Sequence, residues 1–88
     1  MQGIEKKIVS VLKELSQHIT KEDFIEILNL VETHGEYGIA MESLCSVLEE
    51  NEIPIPNQTL EVIIDLFREM DFGNDTLTYY RQHLSTQK

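Results

Sequence analysis

Apolar residues recur along this chain at helical spacing, segment after segment, and no run alternates with the period of a strand. Ile4, Ile8, Val11, Leu12 and Leu15 fall at i, i+4, i+7, i+8 and i+11, which aligns them on one helix face. Thr20-Lys21-Glu22-Asp23 reads as a helix start: a Thr hydroxyl can accept from an orphan N–H, and early acids suit the positive end of the helix dipole. Phe24, Ile27, Leu28 and Val31 then repeat on one face, and Gly35 offers a left-handed stop. A third helix is expected from Tyr37 to about Glu50, with Tyr37, Ala40, Met41, Leu44, Val47 and Leu48 inward and Asn51 ending it.

Ile53-Pro54-Ile55-Pro56 must be extended, because each proline disfavours helix in the residue before it. Pro56 or Asn57 opens a fourth helix lined by Leu60, Ile63, Ile64, Phe67 and Met70, with Gly73 as its expected close. Asn74 or Asp75 is then placed to cap a short last helix carrying Leu77, Tyr80 and Leu84. The class is all-α: a compact bundle of four amphipathic helices plus a short C-terminal helix. Residues 1–84 form one domain, and 85–88 are expected to fray.

At 88 residues there is material for one modest core and little room for an enclosed active-site cavity. The single cysteine, Cys45, rules out an intrachain disulfide framework. The N-terminus carries charges at Glu5, Lys6 and Lys7, unlike a signal peptide. The longest charge-free run, Ile53 to Leu60, holds two prolines and is far short of a membrane span. A soluble, cytoplasmic protein is expected.

The charge is unevenly placed. Net charge is +2 over residues 1–21, −11 over residues 22–67 and zero over residues 68–88, for a total of −9. The central stretch holds eleven acids and no Lys or Arg. Nucleic acid and anionic membrane are therefore not expected as partners, since both need clustered bases. Glu22 and Glu26 stand at i, i+4 with Asp23 beside them, a mildly destabilising arrangement of like charges. A field of one sign also speeds association with a cationic partner. The count alone fits equally well a surface that merely keeps the protein soluble.

Little in the chain suggests catalysis. His18, His34 and His83 are far apart and Cys45 stands alone, so no metal-ligand spacing appears. Asp71 and Asp75 do not match a calcium loop. No catalytic residue, metal or cofactor is assigned. One alternative is a carrier protein with phosphopantetheine on Ser43. Glu42-Ser43-Leu44, Leu48-Glu49-Glu50 and Ile53-Pro54 are similar to the modified stretch of such carriers, but residue 42 is Glu where they have Asp and no Gly precedes it. Another is an acidic mimic of nucleic acid aimed at a DNA-binding protein.

The most distinctive stretch is His34-Gly35-Glu36-Tyr37-Gly38-Ile39-Ala40-Met41-Glu42-Ser43-Leu44-Cys45, continuing through Leu48-Glu49-Glu50 to Ile53-Pro54-Ile55. It resembles the MafI family of bacterial immunity proteins, over roughly residues 24 to 84, with about twenty central residues carrying the specificity. Met41 replaces a Leu of that pattern and Pro56 a capping Ser. The resemblance implies an immunity protein that neutralises a cognate secreted toxin of the polymorphic, contact-dependent growth-inhibition kind. The implied partner is the toxin's C-terminal domain, basic and of the nuclease type, held in the cytoplasm. For the free protein a monomer is favoured, with the oligomeric state left open by the sequence.

Tyr37, Ala40, Leu44 and Cys45 are read as serving the seam between helices. The residues assigned to toxin binding are the acids Glu22, Glu26, Glu32, Glu36, Glu42, Glu49 and Glu50, with Tyr79 as an aromatic anchor. Their role is to cover the toxin's basic substrate-binding surface.

Overall fold

A computed structural model describes residues 3–86. Its helices are α1 (Ile4–Glu14), α2 (Lys21–Glu32), α3 (Tyr37–Glu50), α4 (Asn57–Glu69) and α5 (Asn74–His83). This is the expected all-α bundle of four helices and a short fifth. A single 3₁₀ turn, Ser16–His18, joins α1 to α2 and was not foreseen. α1 packs against α2, α3 and α4; α2 lies along α3, and α5 covers α4.

The core follows the apolar spacing. Ile8, Val11, Leu12 and Leu15 meet Ile27 and Val31 of α2, Ala40, Leu44 and Leu48 of α3, and Ile63, Ile64 and Phe67 of α4, all buried. Ala40, Leu44 and Cys45 are buried and Tyr37 is half-buried, as a seam requires. Phe67 is the aromatic centre: Tyr80 stacks on it at 4.8 Å and Phe72 meets it edge-on at 4.9 Å. Gly38 lets the Phe72 ring approach, since an added Cβ would lie 3.3 Å from its Cζ.

The helix ends follow local chemistry at Thr20 and Gly35 and depart from it at Gly73. Thr20 caps α2, its hydroxyl accepting from the Asp23 amide at 3.1 Å. Gly35 takes the left-handed conformation (φ 63°) after α2. Gly73 does not close α4. That position belongs to Asp71 (φ 63°), while Gly73 is extended and caps α5 in place of Asn74 or Asp75. The reason is the aromatic core. The Asp71 amide donates to the Arg68 carbonyl and the Phe72 amide to the Phe67 carbonyl. This closes a Schellman motif that folds Phe72 back onto Phe67, the apolar contact that accompanies it. α3 ends the same way, with Glu52 left-handed (φ 51°) and Ile53 donating to the Leu48 carbonyl.

Ile53 and Ile55 of the extended segment are buried. The Ile55 amide donates to the Ser85 carbonyl at 3.0 Å, and Ile55 and Thr86 form an isolated parallel bridge. Ser85 and Thr86, expected to fray, are thus tied to the body; the other two residues of that expected tail, 87 and 88, lie outside the described residues.

Candidate binding face

The turn at residues 33–36 brings α3 back along α2, and a groove of about 380 Å³ opens between them. Asp23 and Glu26 of α2 face Glu42, Ser43 and Ser46 of α3 across it. Ile27, Ile39 and Val47 supply its apolar lining. Ile39 is 52% exposed beside these three carboxylates.

Of the residues assigned to binding, Glu26 and Glu42 line this groove, and Glu22 is exposed one turn before Glu26 on α2. Glu32 ends α2 and Glu36 caps α3, so both stand exposed at the turn. Glu50 is exposed at the other end of α3. Glu49 is half-buried on the α5 side, where it accepts a 2.7 Å hydrogen bond from the Tyr79 hydroxyl. The eight residues are therefore not one cluster. A groove, a turn and an α3–α5 edge each hold a share.

Ion pairing among the described residues is confined to the acids of α4. The ion pairs among the described residues are Lys7–Glu69 (3.1 Å), Arg68–Asp65 (2.5 Å) and Arg81–Glu61 (2.5 Å). Each uses an acid of α4, and none involves an acid of α2 or α3. A second groove of about 560 Å³ lies between α1 and α4. It is strapped at one end by Lys7–Glu69 and at the other by the Thr59 hydroxyl donating to Glu14.

The acids also shape the ionisation of their neighbours. Burial pushes the Cys45 thiol well above its ordinary range, and Glu49 and Glu42 add to the shift. A thiol held protonated in the core is a poor nucleophile. Burial raises Tyr80 to about 12, with Cys45 and Glu42 contributing. The hydrogen bond to Glu49 raises Tyr79, and the one from Tyr37 to Glu5 raises Tyr37. Among the described residues no group of three or more His, Cys, Asp or Glu is placed to hold a metal, and no helix is long and apolar enough to cross a membrane.

Sequence reasoning missed Asp23, Ile39, Ser43 and Ser46 as one surface, and missed His83 beside Tyr79. The sequence signal for Ile39 was available: it falls off the inward spacing of Tyr37, Ala40, Met41 and Leu44, so a helix must turn it outward. Compared with known proteins, the chain matches no family model, no curated protein and no solved structure.

Proposed function

We propose that this chain is an immunity protein, which binds the C-terminal domain of a cognate secreted bacterial toxin in the cytoplasm and covers its basic substrate-binding surface with the α2–α3 face. The toxin class that fits best is a nuclease, since an enzyme that grips nucleic acid must be cationic where it does so. The observation that carries this reading is the set of acids on α2 and α3 that are in no ion pair among the described residues, beside the exposed Ile39. Unpaired like charges are a local cost to the free protein. A cationic partner would turn that cost into steering and complementarity. Burial of about 800 Å² on each partner is the expected scale.

The resemblance of Glu36 to Ile55 to the immunity family points the same way. The carrier alternative lacks a comparable observation, because Ser43 stands in the middle of α3 and half-buried, whereas carriers hold their serine at a helix start. The test is co-expression with the toxin domain encoded beside this chain. Rescue of growth is expected. Undiminished toxicity, with both proteins present and folded, would overturn the proposal.

A further inference from the structure

The geometry points to a preformed platform for a single arginine side chain at the α3–α5 edge, built from Tyr79, His83 and Glu49. It deepens the reading above and rests on it for its biological setting, but its chemistry can be tested separately. The Tyr79 ring is held from three sides. Its hydroxyl donates to Glu49 Oε1 at 2.7 Å, His83 stacks on it with ring centroids 4.1 Å apart at 15°, and Tyr80 meets it edge-on at 5.2 Å. His83 is fixed in turn, its Nδ1 lying 2.8 Å from the Tyr79 carbonyl. A carbonyl only accepts, so that nitrogen carries the hydrogen.

Tyr79 is nevertheless 42% exposed. Its rotamer is set before any partner arrives, which removes an ordering cost from binding. Glu49 Oε2 has no hydrogen-bond partner among the described residues. A guanidinium can lie flat on the exposed part of the stacked Tyr79–His83 pair and direct an N–H at that oxygen. A lysine ammonium, compact and strongly hydrated, can satisfy the charge but not the stacked plane. The molecule contains its own control. Tyr37 also donates to a carboxylate, Glu5 at 3.1 Å, but Tyr37 is half-buried and Lys6 and Lys7 follow Glu5 in the chain.

The probe is N-acetyl-arginine N-methylamide, titrated into the isotope-labelled protein at low salt and followed by NMR, with the matched lysine derivative alongside. Shifts are expected to concentrate at Glu49, Tyr79 and His83, with arginine bound about threefold to fivefold tighter than lysine. Glu49→Gln and Tyr79→Leu are each expected to weaken arginine binding about fivefold, and Tyr37→Phe to leave it unchanged. Equal responses to the two derivatives, shifts centred on the α2–α3 groove at Glu26 and Glu42, or indifference to Glu49→Gln would each overturn the platform. If the probe binds as described while the co-expressed toxin still kills, the platform stands and the immunity reading falls. Rescue without selective arginine binding means the reverse.

Discussion

Apart from Glu69, which follows Arg68, the acids of α4 and of the α2–α3 hairpin come from the same base-free stretch of sequence, yet the two regions end in opposite electrostatic states. Glu61, Asp65 and Glu69 of α4 each meet a basic side chain, from Arg81, Arg68 and Lys7 respectively. Glu22, Asp23, Glu26 and Glu32 of α2 and Glu42, Glu49 and Glu50 of α3 are in no ion pair among the described residues. α4 also supplies the aromatic centre of the core through Phe67, whereas α3 leaves Ile39 facing water. Both regions expose apolar surface, Val62 (42%) on α4 and Ile39 (52%) on α3, so the contrast between them lies in the pairing of their acids.

The largest test of the contrast is truncation. Phe67→Ala is expected to cost about 3–5 kcal/mol in chemical denaturation, and Ile39→Ala to stay within about 0.5 kcal/mol while weakening partner binding. An Ile39 that mattered as much to stability would make the hairpin face part of the core's support. Charge reversal comes next. Glu26→Lys with Glu42→Lys is expected to slow association with the toxin domain about tenfold or more at low salt, measured by stopped flow. Glu61→Lys with Asp65→Lys changes the net charge equally, so a similar slowing there would show that only total charge matters.

The helix ends sharpen the comparison at smaller scale. Glu52 and Asp71 sit in left-handed turns that favour glycine, and each adds an acid near the negative end of a helix dipole. Glu52→Gly and Asp71→Gly are each expected to stabilise by about 1 kcal/mol, and Gly35→Ala to destabilise by about as much, read from denaturation midpoints. The smallest effect lies in the pairs of α4. The hydrogen bond and charge of Arg81 hold the Glu61 carboxyl below its ordinary range. A depressed folded value means the pair's contribution is present above the ordinary carboxylate range and is lost as pH falls through the folded value. The stability gap between the wild type and Arg81→Gln is therefore expected to be widest at neutral pH and to close on acidification.

Helix spacing made the fold legible because apolar periodicity is a local record of burial. The α3 bounds, the Thr20 cap and the left-handed Gly35 all follow from residues within a few positions of one another. Gly73 was misread because its neighbours suit a glycine stop, while the actual choice of Asp71 depends on Phe72 packing against Phe67. The tie of Ser85 to the body was hidden for a like reason: its partner is Ile55, thirty residues away in sequence. The candidate site was legible in composition but not in layout. Its acids could be named, but not sorted into groove, turn and α3–α5 edge.

By itself the sequence determined an all-helical chain with its basic residues at the two ends and eleven acids between. Of the two that are paired among the described residues, Asp65 meets Arg68 at i, i+3, which helix spacing alone allows. Only tertiary structure decided the pairing of Glu61, by laying α5 on α4 so that Arg81 reaches it, just as it brought Lys7 of α1 to Glu69 beyond the stretch. The physical reason is range: ion pairing is a contact of a few ångströms, and chain order fixes such contacts only within a helix turn.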